Sequence, residues 1–151
     1  MQIRIREGNL NDLDIIAHFQ IQMAWETECY KLDREIVSKG VQAALLNENY
    51  GIYYVAEIGN QVVGSLLTTY EWSDWRNGMV LWIQSVFVDP DFRKSGVYNK
   101  LYSHIKELVA IDQSLKGIRL YVDETNERAR EVYTRLGMNG EHYRVFEWMK
   151  E

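Results

Sequence analysis

One cysteine and one proline stand in a chain of 151 residues, with three scattered histidines. Cys29 alone can form no internal disulfide, which fits a reducing, cytoplasmic setting. Cysteine and histidines share no ligand spacing, so no metal site is expected. No segment approaches the roughly 18 apolar residues of a membrane span. The start, "MQIRIREGN", lacks the continuous apolar core of a signal peptide, so no membrane association is expected. Positive charge is also in short supply: 17 Lys and Arg against 22 Asp and Glu leave a net −5, which argues against a nucleic-acid partner. Without repeats, low-complexity tracts or a Pro-rich linker, the expectation is one domain over residues 1–151.

What is present is periodicity. "QIRIRE" alternates as a strand. Asn9 is placed to cap a helix that carries Leu13, Ile16, Ala17 and Ile21, and Asp33 precedes a second with Ile36, Val37, Val41, Ala44 and Leu45. "IYYVAEI", the turn "GN" and "QVVGSLLTTYEW" read as a hairpin. After the loop "SDWRNG", "MVLWIQSVFVD" is a strand stopped by Pro90. Val97, Leu101, Ile105, Leu108 and Leu115 predict a long amphipathic helix, "GIRLYV" a buried strand, and "TNERAREVYTRLG" a helix ended by Gly137. "EHYRVFEWMK" alternates and is expected to close the sheet. The fold class is α/β.

Chemistry concentrates between the strand end and the next helix. A helix N-terminus offers unpaired N–H groups and the positive end of its dipole, both suited to a phosphate. A basic turn with a glycine, Arg93-Lys94-Ser95-Gly96, lets backbone approach such an anion. A solvated basic turn on an ordinary helix reads equally well from these residues alone.

The segment with Val86, Val88, Pro90, Arg93 and Gly96 resembles motif A of the GNAT acetyltransferases, Arg/Gln-x-x-Gly-x-Gly/Ala, with Tyr98 in place of the last small residue. "LYVDETNERAREVYTRLGM", with Asn126, Ala129, Tyr133, Leu136 and Gly137, resembles that family's second signature. The resemblance implies a mostly antiparallel sheet with a splayed parallel strand pair and about four helices. It implies acetyl-CoA as co-substrate: backbone of Val86 and Val88 on the pantetheine arm, N–H groups of Arg93, Lys94, Ser95, Gly96, Val97 and Tyr98 on the pyrophosphate, Asn99 adding its side chain, and Asn126 on the pantetheine. It makes Tyr133 the proton donor to the departing thiolate and the Val86 N–H the carbonyl-polarising donor.

The base is less well marked. Trp82 and Gln84, on the strand before the motif, are not bases. Glu26, Glu28, Glu71 and Asp74 could relay a proton through water, with Asp123 and Glu124 weaker candidates. Glu71, Trp72, Asp74 and Trp75, with Glu26 and Glu28, make up an expected acceptor site for a small cationic or polar amine. Three alternatives stay open: a protein amino group as acceptor, a catalytically silent acyl-CoA-binding module, and a nucleotide-binding regulatory domain. The last lacks the Gly-Lys-Ser/Thr of a triphosphate loop. A homodimer through an edge strand is compatible with the pattern.

Overall fold

The computed structural model describes residues 2–150, which form two compact units, one ending at Arg119 and the other beginning at Leu120. The first unit holds the sheet. Strand β1 (Ile3–Glu7) leads through a 3₁₀ turn (Leu10–Asp12) into helix α1 (Leu13–Glu28), followed by α2 (Arg34–Leu46). Strands β2 (Ile52–Ile58), β3 (Gln61–Ser73) and β4 (Gly78–Val88), helix α3 (Val97–Ile111) and strand β5 (Leu115–Arg119) complete it. The strands lie in the order β1-β2-β3-β4-β5, antiparallel except for the β4–β5 pair.

Alternation decides which residues meet which helix. Tyr53 and Val55 pack with Ile16 and Ala17 of α1 and Val41 of α2. Tyr54, on the other face, packs at a tilt against His104 of α3, with ring centroids 5.3 Å apart. Val97, Leu101 and Ile105 bury the apolar stripe of α3 against that second face. At Gly64 a Cβ would meet the Phe87 carbonyl and a Val97 methyl at 3.1 Å each, so glycine permits α3 to start this close to the sheet.

The entry to α1 rests on a half-buried ion cluster. Asn9 and Asp12 form a reciprocal capping box, and both Asp12 oxygens also accept from the Arg6 guanidinium at 2.8 and 2.9 Å. Arg6 Nε donates to Glu57 on β2 at 2.9 Å, and Arg4 joins the same oxygen. Burial pushes the Asp12 pKa up, but the Arg6 hydrogen bonds and charge and the Asn9 N–H more than reverse this and hold it below the ordinary range. Hydrogen bonds from Arg6 and then Arg4 lower that of Glu57. The unfolded chain therefore binds more protons than the folded one near pH 4, and stability rises with pH there. This contribution is expected to be complete above about pH 5 and lost as pH falls through the lowered folded values. Denaturant midpoints measured down the acid range check this, and a flat profile below about pH 5 would count against it.

Two expected features differ. The helix stops at Ile111, and Leu115 begins β5, because Asp112 turns the chain by accepting from both the N–H and the hydroxyl of Ser114. Residues 141–150 form no strand, and Tyr143, Phe146 and Trp148 are exposed. Alternation makes a segment competent for a sheet, but a strand exists only where a neighbour takes its hydrogen bonds. In the second unit, helix α4 (Glu127–Arg135) is capped by Asn126, whose side chain accepts from the Ala129 N–H at 3.1 Å.

Candidate active site

The site begins with an irregularity in β4. Leu67 pairs with Gln84 and Ser65 with Phe87, so Leu66 alone faces both Ser85 and Val86. Ser85 sits at φ 55, and the extra residue makes a β-bulge. The bulge resets the alternation and turns Phe87 toward α1, where its ring lies 5.0 Å from Phe19. On the other edge of β4, the ladder to β5 ends at the pair Trp82–Arg119, while β4 runs on to Val88. The backbone around Val86 and Val88 thus lies past the end of that parallel ladder.

Beyond Val88, Asp89 caps a 3₁₀ turn begun by Pro90. Lys94 and Gly96 take positive φ, 65° and 88°, and Gly96 is the N-cap of α3 with no side chain capping the first turn. Positive φ is easy for glycine and costly for a lysine, so strain collects at the helix mouth. A Cβ on Gly96 would meet nothing within 4 Å, leaving that approach open. The first-turn N–H groups of a helix without a side-chain cap form an anion site.

Individual residues play different parts in this loop. The Ser95 hydroxyl donates to the Phe92 carbonyl and closes the turn. Val97 is buried, so only its backbone could serve an anion, whereas Lys94 and Asn99 are exposed. Tyr98 stacks on Tyr102 at 6.4 Å and 20°, with its hydroxyl buried, so its ring lies along the helix and does not stand over the N-terminus. Arg93 points its side chain toward α1: Nε donates to the Val88 carbonyl at 2.9 Å and Nη2 to Glu26 at 2.8 Å. The guanidinium lies 5.3 Å from the Phe87 ring centroid. Phe19 and Glu26 are seven residues apart on one face of α1, so α1, β4 and the loop are tied by one stack.

The expected acceptor residues do not all come together. Glu71 shares a sheet face with Val80, Thr69 and Trp82, whereas Trp72, paired with Met79, points to the opposite face. Trp72 therefore faces away from Glu71, and Trp75 stands 90% exposed in the turn. Asp74 accepts from the Trp75 N–H at 2.9 Å. Glu28 is exposed on the last turn of α1. Glu71 pairs with Arg119 at 2.5 Å, a partner the sequence reading missed, although one arginine inside the apolar "GIRLYV" was the available signal. In the second unit, Asp123 accepts from both the N–H and the hydroxyl of Thr125, which hold its pKa below the ordinary range and make it a poor base. Asn126 acts as a cap there and Tyr133 is half-buried on α4. Among the described residues no group of three or more His, Cys, Asp or Glu could hold a metal, and no helix is long and apolar enough to cross a membrane.

A mixed sheet with a bulged β4, whose parallel ladder ends early, followed by a helix N-terminus without a side-chain cap, defines an α/β protein. Residues 12–138 match the acetyltransferase (GNAT) family model, which spans both units, and the chain belongs to that family. It is an acyltransferase. A thialysine N-epsilon-acetyltransferase of Bos taurus is 33% identical over 148 residues, covering 89% of this chain and 83% of the relative. The crystal structure of a possible acetyltransferase from Clostridium difficile 630 is 43% identical, with TM-score 0.93 over 100% of this chain and 99% of that one. An aminoglycoside N-acetyltransferase solved with CoA shares the fold at TM-score 0.79 and 17% identity, over 99% and 95% of the two chains.

Proposed function

We propose that the protein moves an acetyl group from acetyl-CoA to a primary amine of a small molecule, working as one domain over residues 1–151. The observation that carries this reading is the uncapped α3 N-terminus behind Lys94 and Gly96, at the end of a bulged strand whose parallel ladder has already stopped. Backbone N–H groups from Lys94 to Tyr98 would hold the pyrophosphate, that of Arg93 already donating to the Pro90 carbonyl, with Asn99 at the rim. Val86 and Val88 would add the pantetheine arm as a further strand, and Asn126 would reach it while keeping its cap. The solved relative with CoA and the amine named in the thialysine relative support donor and acceptor class.

In this reading the acceptor ammonium first loses a proton through water to a carboxylate, with Glu28 the exposed candidate on α1. The neutral amine attacks the acetyl carbonyl, the Val86 N–H steadies the oxyanion, and the C–N bond forms as C–S breaks. Tyr133 gives its proton to the leaving sulfur and recovers one from the amine nitrogen through water. Glu26 and Arg93 are positioning residues: a carboxylate bound to Arg93 is poorly placed to be the base, and the pair braces the loop. Glu26→Gln is therefore expected to raise KM for acetyl-CoA about three- to fivefold with kcat unchanged, and Glu26→Asp to recover part of it. A loss confined to kcat would restore Glu26 as the base.

The reading is tested by free-thiol release across an amine panel and by calorimetry with acetyl-CoA and ATP. Saturable thiol release and a preference for acetyl-CoA are expected. Tight acetyl-CoA binding with no acceptor would make this a silent binding module, and a preference for ATP would overturn the family-based site.

A further inference from the structure

One part of the sheet's α1 face departs from its apolar pattern. Where α1 and α2 cover it, the face carries Tyr53, Val55 and Leu67; farther along, the same face carries Thr69, Glu71, Trp82, Gln84 and Arg119, all half-buried. All five belong to the first unit. Arg119 on β5 reaches over β4 to Glu71 on β3, with Nη1 and Oε1 2.5 Å apart and about a third of each side chain exposed. The pair lies over buried Val80 and beside Trp82, the register partner of both Thr69 and Arg119. Toward the bulge, Gln84 Nε2 donates to Thr69 Oγ1 at 2.7 Å.

Fixed opposite charges side by side select among ligand charge patterns. A zwitterion aligns against them with each charge facing its opposite; a diamine brings a second ammonium to Arg119, and a dicarboxylate brings a second carboxylate to Glu71. Arg119 offers a planar fork suited to a carboxylate. Measured on β3, which carries no extra residue, Thr69 and Glu71 lie three and five residues from Leu66, which faces the bulge, so the ion pair lies about 13 Å from Val86 along the strand. Hydrogen bonds at both ends take about 3 Å each, leaving about 7 Å, the span of a lysine-like side chain. Trp82 gives such a methylene chain an apolar flank, and Gln84 and Thr69 lie along the way.

We propose that Glu71 and Arg119 form an acceptor subsite for the α-amino-acid end of a diamino acid: Arg119 takes the α-carboxylate, Glu71 the α-ammonium, and the terminal amine extends toward Val86 to be acetylated. This rests on the acetyl-transfer reading and deepens it. The transfer is the one described above: the C–N bond forms at the terminal amine, C–S breaks, and the amine's protons go to water and, through Tyr133, to the leaving thiol.

The test compares three diamino acids with their decarboxylated diamines: lysine with cadaverine, ornithine with putrescine, and 2,4-diaminobutyrate with 1,3-diaminopropane. Thiol release is followed with each, and mass spectrometry locates the acetyl group. The expected result is kcat/KM about ten- to hundredfold higher for lysine than for cadaverine, with acetylation at the terminal amine. Arg119→Gln should bring lysine down to the cadaverine level, leaving cadaverine no slower and acetyl-CoA affinity unchanged by calorimetry, which also reports that the variant is folded. Arg119→Lys should recover part of the preference. Equal use of acid and diamine, acetylation of the α-amine, or an Arg119→Gln variant that keeps the lysine preference would overturn the subsite while leaving acetyl transfer standing. If no member of the panel releases thiol although acetyl-CoA binds, the transfer reading fails and the subsite falls with it.

Discussion

Tyr133→Phe is expected to lower kcat by about a hundredfold while leaving acetyl-CoA affinity within twofold. The substitution keeps the ring and removes only the hydroxyl, so the packing of a half-buried side chain on α4 is nearly preserved. What is lost, on the proposed reading, is the proton that neutralises the departing sulfur. Unaided, that thiolate leaves a developing charge with no donor, and a positioned general acid contributes about two to four orders of magnitude. A binding role would instead raise KM or Kd for the donor and spare kcat. Steady-state rates with an accepted amine, beside calorimetry for acetyl-CoA, separate the two. Unchanged turnover from about pH 6 to about pH 9 would remove Tyr133 from the chemistry.

Arg6→Met carries the largest expected loss of stability, about 3 kcal/mol, or a fall of about 10 °C in melting temperature. The guanidinium is the shared partner of two carboxylates, Asp12 at 4% and Glu57 at 9% relative exposure. Methionine fills much of its volume but strands Asp12, which then keeps only the Asn9 N–H, whereas Glu57 retains Arg4. The lower end of the usual range for a broken buried pair applies because about a quarter of the Arg6 side chain is exposed. Adding Asp12→Asn removes the stranded charge and should return about half of the loss. The deficit of Arg6→Met should also shrink as pH falls below about 4 toward the lowered folded values of the wild-type carboxylates. Urea unfolding of the variants at neutral and acid pH measures both effects, and a deficit independent of pH would mean that packing, not charge, sets the cost.

Local patterns were legible wherever one residue or one period settled the matter. Alternation located β1 to β4, Asn9 and Asp33 marked helix starts through their own side-chain oxygens, and Arg93 with Gly96 marked the loop. The two family signatures then led to acetyl transfer, which the family match and the chain's relatives support at the level of the class. The acceptor side was read less well. A period of two puts Glu71 and Trp72 side by side in the sequence but on opposite faces of the sheet, so their closeness in the chain was misleading.

By itself, then, the sequence determined the order of elements up to α4, the helix caps and the place of the glycine-containing turn before α3, because these depend on neighbouring residues. Tertiary structure alone decided the rest. The bulge at Ser85 and Val86 arises from the register with β3, and it sends Phe87, and with it Arg93, to the α1 side, where Glu26 accepts from Arg93. Glu71 finds Arg119 only because β5 pairs parallel with β4, which brings together side chains 48 residues apart. Such contacts follow from strand pairing, a non-local choice that no window of sequence contains.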